Sequence, residues 1–396
     1  MKPIRLFFLF TVLITLSFGC HARNQGSQTA QSGIVTGADQ PEMYLPMLQG
    51  KKVGLVVNHT AIAGNKLLPD FLVEQGVDVQ KIFAPEHGFR GEAAAGEVIK
   101  DGKDPKTGIR VFSLYGDVKK PTQEHLAGLD ILVFDIQDVG CRFYTYLSTL
   151  YYCIESCAEY NVPLLVLDRP NPNGDYIAGP VRKHDFISFV GMVPVPIVHG
   201  CTMGEMALMI NGEGWPGLKA SIDVVKVKNY SHADRYELPV SPSPNLPNYT
   251  SVRLYPSLCF FEATSVSIGR GTDFPFQVIG GTHEHLGDFT FMPVNMPGVA
   301  VNPINMNKKC FGVDLRDIDP VPPFTLKYFL DFYKKYPTEK DFLTSEHWLN
   351  LLAGTNSLIK DIRAGKEEAE IVASWEQEIN AYKSVRRKYL LYPDFE

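Results

Sequence analysis

Residues 131–146 read ILVFDIQDVGCRFYTY. The apolar run at 131–134 is typical of a buried strand, and a dense polar cluster follows it directly. The segment 144–160 is rich in Leu, Tyr and Cys, and it predicts a helix with apolar side chains on more than one side. A buried strand, a polar turn and a covered helix together form the unit from which parallel sheets are built.

The same order of elements recurs on both sides of this stretch. Apolar runs of strand type occur at residues 53–57, 79–83, 109–114 and 164–167, with helical patterns between them. This alternation predicts an α/β fold with a largely parallel sheet. After about residue 200 the pattern changes to Pro-rich and Asn-rich loops, short strands and late helices, which indicates a second domain.

Composition excludes several classes of protein. The chain has 396 residues, of which 45% are hydrophobic and 21% charged, as in a globular protein with a large core. Lys and Arg number 38 and Asp and Glu 44, so the formal net charge is −6. No basic excess attracts nucleic-acid phosphates, and we expect no nucleic-acid partner. We also expect no cofactor, because neither a dinucleotide fingerprint nor a P-loop occurs.

The first residues have the pattern of a bacterial export signal. Lys2 and Arg5 precede the apolar residues 6–18, and a polar stretch follows. The apolar run is shorter than the roughly 20 residues that span a bilayer, so a transmembrane anchor is the weaker interpretation. We expect a signal peptide at 1–22 and a flexible tether at 23–42, because the latter is rich in Gly, Ser and Gln.

Cys20 adds a candidate lipid anchor. A Cys directly after Gly at the end of the apolar run is typical of a lipoprotein processing site, although Ser17 stands where such sites usually carry Leu. The alternative is ordinary cleavage after Ala22. The predicted location is therefore outside the cytoplasm, in the periplasm or lipid-anchored in the envelope, and Cys20 is the only membrane contact that we expect.

Polar side chains gather directly after the predicted strands. Because the carboxyl ends of parallel strands share one edge of a sheet, where open α/β sheets bind their ligands, we expect these clusters to converge on one pocket. The candidate site residues in them are Asn58, Glu86, His87, Arg90, Asp135, Asp138, Arg142, Tyr144, Tyr146, Asp168 and Arg169.

Glu86 is the strongest candidate for acid–base chemistry. It would sit at the mouth of an apolar sheet, where burial can raise the pKa of a carboxyl group towards that of a general acid. The alternatives are a helix N-cap and an ion pair with Arg90. Asp135 and Asp138 offer the second carboxylate that glycoside hydrolysis requires. Their alternatives are a capping role for Asp135 and a pair with Arg142 for Asp138.

Arginine and tyrosine side chains in the clusters are candidates for binding a substrate. Arg90, Arg142 and Arg169 could each bind a carboxylate or phosphate through two hydrogen bonds, or could form structural ion pairs. Tyr144 and Tyr146 carry flat amphipathic rings on which sugars stack, although aromatic residues that open a helix are often part of the core.

The second half of the chain contains one further charged cluster. Glu262 precedes Arg270, which lies between two glycines that either let the backbone approach a ligand or form a tight turn. A metal ion held by Glu86, His87 and Asp135 is a minority interpretation. No His-Glu-x-x-His spacing supports it, so we predict no metal site.

Several of these segments, in this order, resemble one family. They are Pro85-Glu86-His87-Gly88, residues 135–146, Asp168-Arg169-Pro170-Asn171-Pro172, His199-Gly200 with Gly204-Glu205, Pro244-Asn245-Leu246-Pro247 and Gly269-Arg270-Gly271-Thr272. Together they resemble the exo-β-N-acetylmuramidases of glycoside hydrolase family 171, formerly a bacterial domain of unknown function. The resemblance runs from about Leu55 to the C-terminus. Cys141 departs from it, because a small residue such as Ala is usual there.

The resemblance implies a Rossmann-like parallel-sheet domain, placed at residues 43–200, and a smaller C-terminal α/β domain at 201–396, with the active site where they meet. The implied reaction is release of N-acetylmuramic acid from the non-reducing end of peptidoglycan fragments, so the expected partner is a glycan or muropeptide. The implied catalytic glutamate falls on Glu86, and Asn245 joins the substrate-binding residues. The lactyl carboxylate of this sugar calls for at least one arginine, and Arg270 is one of those available.

Two other functions stay open on the sequence alone. One is a metal-dependent hydrolase of cell-wall amides or esters that uses Glu86, His87 and Asp135. The other is a non-catalytic envelope protein that binds muropeptides, for which the same arginine and tyrosine residues would suffice.

Overall fold

The computed structural model describes residues 33–86, 88–90 and 101–396. The predicted signal peptide, Cys20 and His87 lie outside the described residues. The strands are β1 (Lys52–Val57), β2 (Ile62–Ala63), β3 (Lys66–Leu67), β4 (Asp78–Ala84), β5 (Gly102–Lys103), β6 (Arg110–Ser113), β7 (Ile131–Asp135), β8 (Leu164–Leu167), β9 (Ile222–Val225), β10 (Val278–Gly281), β11 (Phe289–Phe291) and β12 (Cys310–Asp314).

The helices cover the sheets and fill most of the C-terminal part. They are α1 (Pro41–Leu48), α2 (Leu68–Glu74), α3 (Gln123–Leu126), α4 (Tyr146–Tyr160), α5 (Met203–Gly212), α6 (Tyr249–Leu258), α7 (Lys327–Lys335), α8 (Glu339–Phe342), α9 (Glu346–Ala353), α10 (Ser357–Arg363), α11 (Glu368–Ala373) and α12 (Glu376–Arg386). Short 3₁₀ helices span His184–Phe186, Cys259–Ala263 and Glu284–Leu286. None of the helices in the described residues is long and apolar enough to cross a membrane.

The main sheet confirms the predicted α/β fold. Its strand order is β5-β6-β4-β1-β7-β8-β9, and all neighbours are parallel except the pair β5 and β6. The apolar runs predicted as strands correspond to β1, β4, β6, β7 and β8. Strand β9 extends this sheet beyond residue 200, where we expected the second domain to begin. The exact domain boundary stays a prediction.

The central strands are buried on both faces because successive side chains point to opposite sides. Leu132 and Phe134 of β7 pack with α4 in one core cluster, whereas Ile131 and Val133 pack with α1 and α2 in another. The first cluster continues without interruption into the C-terminal helices. A three-stranded antiparallel sheet, in the order β10-β12-β11, lies in this C-terminal part.

The described part of the predicted tether is folded, so that prediction is wrong for residues 33–42. The backbone of Val35 pairs with Lys228, and the side-chain amide of Gln40 donates to the Lys226 carbonyl at 2.7 Å. Helix α1 then begins at Pro41. A composition rich in Gly, Ser and Gln is typical of a linker. Backbone hydrogen bonds to the end of a strand can nevertheless hold such a segment in one conformation.

The C-terminus closes a buried polar cluster beside β8. The hydroxyl of Tyr392 donates to Asp168 at 2.5 Å, and the backbone N–H of Leu391 donates to Glu205 at 2.8 Å. Gly204 brings its own N–H within 2.7 Å of Asp168, and a Cβ atom here would lie 2.7 Å from that carboxyl group. The last residues of the chain therefore satisfy groups at the centre of the protein.

Candidate active site

A cavity of about 720 Å³ opens beyond the carboxyl edge of the main sheet. Its walls come from segments far apart in the chain, including the loops after β4 and β6, the start of α4, the 3₁₀ helix Cys259–Ala263, residues 299–304 and α9. The volume lies within the range of about 300–1,000 Å³ that is typical of small-molecule sites. Segments from both halves of the chain therefore form one candidate site.

Glu86 lines this cavity, and neighbouring loops hold its carboxyl group. The register pairs Ala84 of β4 with Ser113 of β6, so Glu86 and Tyr115 each lie two residues beyond a paired position. The hydroxyl of Tyr115 bonds to the Glu86 carboxyl group, and burial and this nearby charge raise the pKa of Tyr115. Parallel pairing of two strands thus places a general-acid candidate beside a hydrogen-bond donor.

Thr145 provides the second contact to Glu86. It occupies the N-cap position of α4, where a threonine hydroxyl usually accepts a hydrogen bond from the helix backbone. Here no such bond forms, and the hydroxyl instead donates to the Glu86 carboxyl group at 2.6 Å. The N-terminus of α4 therefore has no side-chain cap, and the Thr145 hydroxyl group orients Glu86 instead.

Glu262 and Arg270 form an ion pair that also lines the cavity. Their oxygen and nitrogen atoms are 2.6 Å apart, and each side chain is about a quarter exposed. Gly269 and Gly271 adopt φ values of 80° and 79°, and added Cβ atoms would lie 2.8 and 2.4 Å from backbone oxygens of Phe274 and Val294. The glycines thus let the loop pack tightly on the protein itself, and the resulting turn presents Arg270 to the cavity.

Asp135 does not reach the cavity, which corrects its prediction as a catalytic residue. Its two carboxyl oxygens accept hydrogen bonds from Arg169 at 2.5 and 2.9 Å, and both side chains are buried. Asp135 follows Ile131 and Val133 in the alternation of β7, so it lies on the face covered by α1 and α2. Glu86 is held at the start of α4, which covers the other face.

Asp138 also lies outside the cavity lining, and the pair with Arg142 does not form. Its carboxyl group accepts from the N–H of Gly140 at 2.7 Å, and burial raises the pKa of Asp138 to about 7. Arg142 is fully buried and donates to three backbone carbonyls, those of Pro180, Val195 and Leu352. Arg142 therefore joins three segments of the chain and does not line the cavity.

The remaining predicted binding residues make structural contacts and do not line the cavity. Arg90 is paired with Asp104 at 2.7 Å, and Asp168 belongs to the buried cluster with Tyr392. The side-chain amide of Asn245 donates to the carbonyl of Val299, a residue of the cavity wall.

Tyr144 and Tyr146 are buried and do not form a stacking surface for sugars. Their hydroxyl groups donate to the Pro242 carbonyl, and Tyr146 accepts from the amide of Asn58 at 2.9 Å. Neither ring lines the cavity. The alternative interpretation, that aromatic residues opening a helix belong to the core, is the one the structure supports.

Several cavity residues were not predicted. Tyr115 and Lys119 follow β6, so the rule that ligands bind beyond strand ends could have identified them. Thr145 lies within the quoted stretch and resembles an ordinary N-cap. Residues 299–304 and Trp348 carry no sequence signal, because apolar side chains in a loop or a helix do not distinguish a cavity wall from a core.

The metal interpretation gains no support from the described residues. Among residues 33–86, 88–90 and 101–396, no three His, Cys, Asp or Glu side chains are grouped as metal ligands. Asp135, one member of the suggested trio, binds Arg169.

The pair of Asp135 and Arg169 makes a strong prediction about stability. Replacing Asp135 with Asn leaves a buried guanidinium without its counter-charge, so we expect the free energy of unfolding to fall by about 3–5 kcal/mol. Chemical denaturation of the purified protein measures this. Glu74→Gln is the control, because its ion pair with Lys66 is about half exposed and should contribute less than about 1 kcal/mol. An Asp135→Asn variant that kept wild-type stability but lost activity would indicate that Asp135 is catalytic after all.

Comparison with known proteins extends over nearly the whole chain. Residues 53–250 match the family model "Exo-beta-N-acetylmuramidase NamZ, N-terminal", and residues 253–392 match its C-terminal counterpart. The chain is 36% identical to "Peptidoglycan beta-N-acetylmuramidase NamZ" of Bacillus subtilis (strain 168), over 97% of each protein.

Two solved structures are similar in fold, both of DUF1343 family proteins from Bacteroides fragilis NCTC 9343. One has a TM-score of 0.84 and 42% identity, with 92% of this chain and 100% of the other covered. The second has a TM-score of 0.77 and 28% identity, with 91% and 99% covered. With both family models matched in order along one chain, this protein belongs to the NamZ family of exo-β-N-acetylmuramidases.

Proposed function

We propose that this protein releases N-acetylmuramic acid from the non-reducing end of peptidoglycan fragments by carboxylate acid–base catalysis. Family membership supports the reaction, and one structural observation supports the assignment of residues. The cavity brings together two carboxylates, Glu86 and Glu262, and the guanidinium of Arg270. Glycoside hydrolysis requires such a pair of carboxylates, and an acidic sugar requires a cation.

Glu86 is the general acid in this proposal. Its carboxyl group donates a proton to the glycosidic oxygen as the bond to the leaving group breaks. Thr145 and Tyr115 restrict its rotation through their hydroxyl groups, which keeps the proton directed into the cavity. Orientation of this kind lowers the entropic cost of reaching the transition state.

Glu262 takes the role for which the sequence suggested Asp135 or Asp138. Its carboxyl group is paired with the guanidinium group of Arg270 at 2.6 Å. A carboxylate beside the anomeric carbon stabilises the positive charge that develops on the sugar ring in the transition state. This stabilisation serves retaining and inverting routes alike.

Arg270 also has donors left for the substrate. A guanidinium group carries five N–H donors, and one nitrogen of Arg270 bonds to Glu262. The others can bind the lactyl carboxylate that distinguishes N-acetylmuramic acid from N-acetylglucosamine. The neighbouring wall at residues 299–304 includes apolar side chains, which suit the methyl groups of the lactyl and acetamido substituents.

The test is selectivity between two chromogenic substrates. We expect the protein to hydrolyse a nitrophenyl β-N-acetylmuramide and to leave the corresponding β-N-acetylglucosaminide essentially uncleaved. Arg270→Lys keeps a positive charge near Glu262 but loses the planar set of donors, so KM for the muramide should rise about tenfold or more. Steady-state kinetics measures both values.

Arg316→Lys is the matched control, because Arg316 pairs with Asp314 outside the cavity lining. Equal hydrolysis of the two substrates by the wild-type protein would contradict the proposed specificity. An unchanged KM in Arg270→Lys would show that Arg270 does not bind the lactyl group of the substrate.

We further propose that the protein is exported and acts in the bacterial envelope, where peptidoglycan fragments occur. The support is the pattern of residues 1–22, with two basic residues before an apolar run. Cys20 is the proposed attachment point for a lipid anchor.

A further inference from the structure

The cavity contains a second cation besides Arg270. Lys119 lines the wall that follows β6, and its ammonium group lies 4.8 Å from the centre of the Phe189 ring. Within the described residues, no carboxylate forms an ion pair with Lys119. Its neighbour Lys120, in contrast, is paired with both Glu155 and Glu159. Lys119 therefore presents to the cavity an ammonium group that forms no ion pair within the described part of the chain.

Phe189 holds this cation in place. The carbonyl of Phe189 accepts a hydrogen bond from Ser148 at 2.6 Å, and its ring stacks on Tyr152. A lysine that rests on a fixed aromatic ring has less rotational freedom to lose when it binds an anion. The arrangement is that of a preorganised binding group.

The position of Lys119 indicates which part of a substrate it meets. Lys119 shares a loop with Tyr115, which bonds to Glu86, whereas Glu262 and Arg270 come from separate segments of the C-terminal part. A general acid acts on the oxygen between the terminal sugar and the leaving group. The loop after β6, whose Tyr115 bonds to Glu86, thus borders the leaving group. Arg270 lies on a separate segment and is available to bind the terminal sugar.

We propose that Lys119 is a specificity residue that binds a carboxylate on the leaving-group side of the substrate. This inference rests on the proposed function and adds a second anion contact to it. In a peptidoglycan fragment the sugar after the scissile bond is neutral, and the next muramic residue carries the nearest carboxylate. That group is either its free lactyl carboxylate or a carboxylate of its stem peptide, and both have the same chemistry for Lys119.

The experiment compares leaving groups that differ in charge. Two chromogenic β-N-acetylmuramides are used, one with a nitrophenyl leaving group and one with a nitrophenyl group that carries a carboxylate on a spacer of about the length of one sugar, so that the carboxylate reaches the position of the next muramic residue. We expect Lys119→Met to lower the ratio of kcat/KM for the anionic substrate to kcat/KM for the neutral one by about five- to tenfold. Methionine is uncharged and unbranched and can still pack on Phe189, and any effect common to both substrates cancels in the ratio.

Lys120→Met is the matched control, because Lys120 lies next in sequence and is paired outside the cavity lining. It should leave the ratio unchanged. In the wild-type protein, high salt should lower the ratio towards that of Lys119→Met, because exposed charges are screened. An unchanged ratio in Lys119→Met overturns the inference while the proposed function stands. Absence of wild-type turnover on the neutral muramide contradicts the proposed function itself.

Natural fragments then distinguish the two sources of the carboxylate. One tetrasaccharide has no peptide, and the other carries a stem peptide only on its second muramic residue. A loss in Lys119→Met confined to the peptide-free fragment assigns the lactyl carboxylate, and a loss confined to the other assigns the peptide. Equal wild-type and variant rates on both fragments would count against a carboxylate contact at this position.

Discussion

Glu86→Gln should lower kcat by about 10²–10⁴-fold on a muramide with a poor leaving group, such as a disaccharide fragment. Glutamine retains an oxygen that accepts from Thr145 and Tyr115 but has no acidic proton, so the geometry persists while the proton transfer is lost. On a dinitrophenyl muramide, whose leaving group needs little protonation, the loss should be much smaller. Steady-state rates on the two substrates measure the difference.

This dependence of the rate on the leaving group distinguishes an enzyme from a protein that only binds muropeptides. A binding protein would hydrolyse neither substrate, whether or not Glu86 is replaced. Glu155→Gln, which removes a carboxylate paired with Lys120 outside the cavity lining, is the control and should retain activity on both substrates. Near wild-type rates for Glu86→Gln on the disaccharide would mean that another group is the acid, even though the family assignment holds.

Glu262→Gln should lower kcat by about 10³-fold on good and poor leaving groups alike. The reason is that, in the proposed mechanism, Glu262 stabilises the positive charge on the sugar ring, which develops whichever group departs. Asp138→Asn is an informative control. Burial raises the pKa of Asp138 to about 7, so a neutral side chain of the same shape should be tolerated there and activity should persist.

The two variants discriminate between competing assignments of the second carboxylate. If Asp138→Asn lost activity and Glu262→Gln kept it, Asp138 would be the second catalytic carboxylate, as the sequence suggested. A circular-dichroism melt of each variant distinguishes lost chemistry from lost folding.

The fold could be predicted because its strongest signals are local. The apolar runs of β1, β7 and β8 are continuous because both faces of the sheet are covered there, and this pattern can be recognised without any knowledge of contacts. Strand β9 has a partly exposed pattern at the sheet edge, and it therefore looked like part of another domain.

The site was predicted in part, and the errors have a common physical cause. Glu86, Glu262 and Arg270, three of the candidate residues, line the cavity, whereas Asp135 and Arg142 do not. Polar residues after strands also satisfy buried carbonyl groups and buried ions where loops pack on the sheet edge. Sequence alone does not distinguish an arginine that binds backbone carbonyls from one that binds a substrate. The distinction depends on contacts between residues that are far apart in the chain.

The contact between Tyr392 and Asp168 has a consequence for how the molecule is made. Asp168 directly follows β8, yet one of its hydrogen-bond donors lies 224 residues further along the sequence. A nascent chain can assemble most of the sheet but cannot complete this cluster until Tyr392 has been synthesised. A chain still short of Tyr392 is therefore less stable than one in which the cluster is complete.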